Sequence, residues 1–131
     1  MPSKQIRKVS SITAVFPAYN DAGTIPSMVL TALLALRQVT DDYEVIVTND
    51  GSKDSTGAVL DELASRYPEL KVIHHPENRG YGCALRTGFS NASKDWIFYT
   101  DGDAQYNPME LINLVNGLTE GIDVVNGYKI S

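Results

Sequence analysis

"SITAVFPAYNDAGTIPSMVLTALLAL", residues 11–36, changes its period halfway along. Its first six residues form a β-rich apolar run, and "PAYNDAG" then breaks the pattern with Pro17, Asn20, Asp21 and Gly23. From Thr24 onward the apolar residues Ile25, Val29, Ala32, Leu33 and Leu36 recur at threes and fours, the stripe of an amphipathic helix. Thr24 stands at the N-cap position and Pro26 in the first turn, where its missing N–H costs nothing. Strand, polar loop, helix is one βα unit.

The same alternation recurs along the chain. "YEVIVT", "KVIHH", "WIFYT" and "DVVNG" read as further strands, separated by stretches of helical period. A second helix is expected from about Ser55 to Tyr67, with Val59, Leu60, Leu63 and Ala64 inward and Pro68 stopping it. A third is expected over Gly82–Asn91, weakened by Gly88, and a fourth opens at "NPME", with Asn107, Pro108 and Glu110 in a capping-box arrangement. Strands with little polar alternation, joined by crossover helices, predict an α/β fold: a Rossmann-like, mostly parallel sheet with helices on both faces.

Such sheets bind ligands at the carboxyl edge of their strands. The loops that matter are therefore "PAYNDAG", "NDGSKDS", "PENRGYG" and "DGDAQYNP", and Asp21, Asp50, Asp101 and Asp103 all fall within them. Four carboxylates gathered on one edge repel one another unless a cation or a hydrogen-bonding ligand sits among them. Asp101 and Asp103 lie two apart, so in extended chain they face one side while Gly102 permits close backbone approach. Together they suit a hard cation, Mg²⁺ or Mn²⁺, whose remaining positions water and substrate phosphate would fill. The competing reading makes them turn and cap residues ahead of "NPME".

Composition narrows the classes. The chain has 131 residues, 43% hydrophobic and 21% charged, enough to bury one core. A net charge of −5, with its basic residues scattered, argues against nucleic acid or an anionic membrane surface as partner. The single cysteine, Cys83, excludes an internal disulfide framework, suits a reducing compartment and is expected in the core. "MVLTALLAL" falls short of the roughly 18 to 20 residues a spanning helix requires, and a soluble, cytoplasmic chain without a signal peptide is expected. His74 and His75 are adjacent on a strand, leave opposite faces and are expected to be structural. No P-loop, nucleophile-elbow or H-E-x-x-H pattern occurs.

Other loop residues have two readings each. Asp50 suits the N–H edge of a uracil or guanine base, or else organises the "NDGSKDS" turn and caps the next helix. Tyr19 can stack on a base or pack, and Arg79 can offset phosphate charge or remain solvated. The glycines of "NRGYG" suit close approach to a ligand, or only a turn into a helix.

Taken in order, "FPAYNDAGTI", "VIVTNDGSKDST", "ENRGYGCALRTGF" and "FYTDGDAQYNP" resemble the nucleotide-sugar half of a family 2 glycosyltransferase of the GT-A fold, most of all the dolichyl- and polyprenyl-phosphate sugar transferases such as dolichol-phosphate mannose synthases. The resemblance runs from about Ser11 to Lys129. It implies that Pro17, Ala18, Tyr19 and Asp21 border the base and ribose, that Asp50 accepts a hydrogen bond from the base, and that Asn78, Arg79, Gly80 and Gly82 lie against the donor. It further implies that Asp101 and Gly102 approach the ribose, that Asp101 and Asp103 are catalytic through the cation on the diphosphate, and that Gln105 completes that site. Asp21 stands where the family more often has Glu, and Asn49 where a further Asp is usual.

The implied reaction is hexosyl transfer with inversion from a UDP- or GDP-sugar to a polyprenyl phosphate. A cation would stabilise the departing diphosphate, and an ionised acceptor phosphate needs no general base. Residues 1–10 read as an extension and 11–131 as the nucleotide-sugar-binding region, incomplete at its C-terminus and lacking the acceptor half and any base. The isolated chain is therefore expected to bind nucleotide and metal, to transfer no sugar, and to self-associate through an uncovered edge or face. The full-length protein is expected at the cytoplasmic face of a membrane. The alternatives are a non-catalytic nucleotide- and metal-binding or regulatory module, and a transferase for a saccharide acceptor. A receiver-type signalling domain lacks its required acidic residues here, since "PAYND" follows the first strand and "HPENRG" the third.

Overall fold

The computed structural model describes residues 9–99, 124–125 and 127–129, the last two stretches as backbone only. Four strands run parallel: β1 (Ile12–Ala18), β2 (Tyr43–Asp50), β3 (Leu70–His75) and β4 (Trp96–Tyr99). Three helices link them: α1 (Ile25–Val39), α2 (Thr56–Arg66) and α3 (Tyr81–Asn91). Two short strands, β5 (Val124–Val125) and β6 (Gly127–Lys129), complete a sheet ordered β3-β2-β1-β4-β6-β5. "DVVNG" was expected as a single fifth strand. The backbone instead divides between β5 and β6, and β6 pairs antiparallel with β4, Ile97 opposite Tyr128.

The polarity of β1 explains its central place. All seven of its residues are buried, as are seven of eight in β2, so neither strand tolerates a solvated face. Ile12, Ala14, Phe16 and Ala18 join Val45 and Val47 in one core with Ile25, Val29, Ala32 and Leu36 of α1 and Leu60 of α2. Residues of the other parity, Val15 and Thr48, lie under α3 on the opposite face. The α1 stripe is the one expected, and in α2 Leu60 is fully buried while Val59, Leu63 and Ala64 pack at the core margin.

Gly88 argued against α3 in the sequence, because glycine costs about 1 kcal/mol in a helix. Packing supplies the reason for it. A Cβ at position 88 would stand 2.3 Å from Val15 Cγ1, so α3 reaches β1 only through a residue without a side chain.

Elsewhere the burial is looser than expected. Cys83 is half-buried rather than a core residue, and in β4 only Ile97 and Phe98 are buried, while Trp96 and Tyr99 remain partly exposed. Thr24 occupies the N-cap of α1 without capping through its side chain; the backbone carbonyl of Asp21 takes the N–H of Thr24 and of Ile25 instead. No helix among the described residues is long and apolar enough to cross a membrane.

The amino edge of the sheet is held by Glu44. Its carboxylate is almost wholly buried and accepts from Thr13 Oγ1 (2.7 Å), the Ser93 N–H (2.8 Å), Ser93 Oγ (3.0 Å) and Lys71 Nζ (2.6 Å). It thereby joins β1, β2, β3 and the turn into β4. Burial alone would raise its pKa, yet these donors outweigh burial and lower it from 4.5 to about 2. Nothing in the sequence reading marked this residue.

Candidate functional site

At the opposite, carboxyl edge the first two loops are sewn together. Asn20 adopts a left-handed backbone, φ 52°, which asparagine tolerates better than most residues. Its N–H donates to Ser52 Oγ (2.9 Å), and its Oδ1 accepts from the Lys53 N–H (2.8 Å). The Asp21 N–H donates to Thr56 Oγ1 (2.8 Å), whose hydroxyl donates to Asp54 Oδ1. Asp54 also accepts from the Thr56 N–H (2.9 Å), and these two bonds hold its carboxyl below the usual range. Asp21 Oδ2 accepts from the Tyr19 N–H at 3.2 Å.

Asn49 works inside the fold. Its Oδ1 accepts from the Ser52 N–H (3.2 Å), which orients the amide so that Nδ2 donates to His74 Nδ1 (2.9 Å). His74 Nε2 then donates to Asp61 Oδ1 (2.8 Å). An aspartate at position 49 would offer an acceptor where His74 already presents one. Gly57 makes room for this contact, since a Cβ there would lie 2.9 Å from Asn49 Nδ2.

Among the described residues Asp50 is the best-held carboxylate of this edge. It is 3% exposed, and its Oδ1 accepts from His75 Nδ1 (2.9 Å) and the Arg79 N–H (2.9 Å), its Oδ2 from the Gly80 N–H (2.9 Å). Its backbone carbonyl accepts from Asn78 Nδ2 (3.2 Å). Burial would raise its pKa, but the His75 bond and the two backbone N–H groups lower it, so Asp50 is ionised at neutral pH. The residue thus organises the loop after β3 rather than its own turn. Gly51 permits this: at φ 69° its Cβ would stand 2.3 Å from Asn78 N, so only glycine lets the two loops touch. His74 and His75 leave opposite faces as expected, the one toward Asp61, the other toward Asp50 and Thr87.

A depression of about 290 Å³ lies over these loops. It brings together Pro17, Ala18, Tyr19, Asp21, Asp50, Asn78 and Gly80, seven of the residues singled out from sequence. Arg79 gives its backbone N–H to the floor, while its side chain is exposed and does not line the depression. Tyr81 and Ala84 line it too and were missed; they stand three apart at the start of α3, so one helix face presents both. Wider depressions of about 450 and 570 Å³ flank α1 and α2, but mostly apolar side chains line them, and neither Asp21 nor Asp50 is among their lining residues. Asp101, Gly102, Asp103, Gln105 and the "NPME" helix start lie outside the described residues. Among the described residues no group of three His, Cys, Asp or Glu side chains is placed to hold a metal ion.

Comparison with known proteins agrees with this geometry. The chain is 37% identical over 127 residues to the undecaprenyl-phosphate 4-deoxy-4-formamido-L-arabinose transferase of Photorhabdus laumondii, an alignment covering 95% of this chain and 38% of that protein. In structure it is similar to a mannosyltransferase of Pyrobaculum calidifontis solved with GDP-Man and Mn²⁺, with a TM-score of 0.71, 27% identity, and coverage of 84% of this chain and 32% of the other. It is also similar to the glucosyl-3-phosphoglycerate synthase of Mycobacterium tuberculosis solved with Mn²⁺, UDP and glucosyl-3-phosphoglycerate, with a TM-score of 0.67, 27% identity, and coverage of 88% and 42%. The chain therefore spans under half the length of the relatives it matches, and aligns with the GT-A part of the solved structures. The family model for glycosyl transferase family 2 matches residues 13–129. With the parallel sheet, the sewn carboxyl-edge loops and these similarities together, the chain belongs to glycosyl transferase family 2.

Proposed function

We propose that residues 11–131 form the nucleotide-sugar-binding region of a transferase that moves a hexosyl group, with inversion, from a UDP- or GDP-sugar to a polyprenyl phosphate at the cytoplasmic face of a membrane. The observation that carries this reading is Asp50: an ionised, buried carboxylate on the floor of a depression at the carboxyl edge, with Tyr19 exposed at the rim. A base N–H can be read by that carboxylate, and the ring of Tyr19 offers a stacking surface. Asn78 and Gly80 bring the third loop against the same space. The polyprenyl-phosphate acceptor is taken from the arabinose transferase relative, and the choice of UDP or GDP from the ligands of the two solved structures.

Asp101, Asp103 and Gln105, which follow β4, would hold Mg²⁺ or Mn²⁺ as hard oxygen ligands. When bound, the ion offsets the charge that builds on the leaving diphosphate. The chain's own contribution is orientation: Asp50 fixes the base, Asp21 lies at the depression's edge toward the ribose, and the sewn loops keep both in place.

Calorimetric titration of the purified chain with UDP, GDP and their sugars, with and without Mn²⁺, tests the reading. Metal-dependent binding of one nucleotide series is expected, lost in Asp103→Ala and weakened about tenfold or more in Asp50→Asn. Metal-dependent binding that survives Asp103→Ala undiminished would overturn the metal assignment. Absence of any nucleotide binding would overturn the site.

A further inference from the structure

Asp50 does not hold its own position. One face of its carboxylate is occupied by groups of the third loop, and the anchor behind them is His75, which is 8% exposed. His75 Nδ1 faces a carboxylate that only accepts, so this nitrogen donates; Nε2 pairs with the Thr87 hydroxyl of α3 at 2.9 Å. A line of two bonds, Thr87 to His75 to Asp50, thus runs from α3 through the end of β3 to the end of β2.

The distribution of donors on the carboxylate is uneven. Each oxygen offers about two lone-pair directions. Oδ1 has both used, by His75 Nδ1 and the Arg79 N–H, whereas Oδ2 accepts one described bond, from the Gly80 N–H. Without His75 the carboxylate keeps only the Arg79 and Gly80 N–H groups, one on each oxygen, and Oδ1 is left with an unused lone pair that competes with Oδ2 for an incoming N–H. With it, Oδ2 is the oxygen kept for an incoming N–H.

We infer that His75, locked by Thr87, is a positioning residue that sets the base preference of the depression by holding Asp50 Oδ2 toward the ligand. This rests on the reading of Asp50 as the group that meets the base. Its chemical consequence is selective. A base edge carrying an N–H, as in uracil or guanine, gains from a fixed acceptor; cytosine and adenine present a ring nitrogen lone pair at the equivalent place and are repelled by it.

The test is the affinity ratio of UDP to CDP and of GDP to ADP, titrated with Mn²⁺ in the purified chain and four variants. Asp50→Asn comes first: the ratio of the preferred pair falls about tenfold or more if Asp50 meets the base. His75→Phe, which keeps a ring but removes the donor, is expected to lower the same ratio at least fivefold. His75→Asn, which restores a donor near Nδ1, recovers part of it. Thr87→Val leaves His75 in place without its lock and is expected to lower the ratio about threefold, so it carries the test if His75→Phe fails to fold. If Asp50→Asn changes the ratio but His75→Phe and Thr87→Val leave it intact, or weaken both nucleotides of a pair equally, the role of His75 is overturned and Asp50 stands. If Asp50→Asn leaves the ratio unchanged, the base contact itself is wrong and the inference falls with it.

Discussion

Replacing Glu44 with glutamine should remove a large part of the pH dependence of stability. The buried carboxylate accepts four bonds, from Thr13, Lys71 and twice from Ser93, and its pKa stands at about 2 against an ordinary 4.5. A folded-state pKa below the unfolded one means that the stabilisation is fully present above pH 4.5 and is lost as pH falls through 2. The gap between those values corresponds to about 3 kcal/mol at pH 7, of which roughly 1 kcal/mol remains at pH 3. Glutamine keeps the shape but places an N–H₂ group among donors and removes the charge facing Lys71. Chemical denaturation of both proteins at pH 7, 5 and 3 measures the difference. The expected result is a gap of about 3 kcal/mol at pH 7 that narrows to roughly 1 kcal/mol at pH 3. A gap below about 0.5 kcal/mol at neutral pH, or one equally wide at pH 3, would falsify the assignment of this network as the clamp of the amino edge.

Two further substitutions probe the packing that shapes the site. Gly51→Ala forces a side chain into left-handed backbone, about 1–2 kcal/mol, and against the Asn78 nitrogen, so a total loss above about 2 kcal/mol is expected in thermal or chemical unfolding. Gly23→Ala, with no atom near its Cβ and an ordinary φ, is the control; equal stability of the two variants would refute the close approach of the loops. Thr48→Val should raise stability by about 1 kcal/mol, because the Thr48 hydroxyl is buried without a hydrogen-bond partner among the described residues. A loss of stability there would mean that the hydroxyl is satisfied.

Periodicity made the βα architecture legible because it depends on local spacing: a helix stripe and an apolar strand can each be read within about a dozen residues. Chain direction then places "PAYNDAG", "NDGSKDS" and "PENRGYG" at one edge, which is why Pro17, Ala18, Tyr19, Asp21, Asp50, Asn78 and Gly80, which line one depression, are legible from sequence as candidates. Partners distant in sequence were not legible. Nothing local links Glu44 to Ser93, or Thr87 to His75 and Asp50, since those contacts exist only when three or four strands stack in register. Gly88 shows the limit most clearly: its local preference opposes a helix, and the reason it is there is Val15, 73 residues earlier, with no space between them for a methyl group. The order of strands, loops and carboxylates was therefore a property of the sequence alone. Which of those carboxylates is held, by which donors, and with which oxygen left for a ligand was decided by tertiary structure, because hydrogen bonds are directional and short and depend on side chains that only packing brings together.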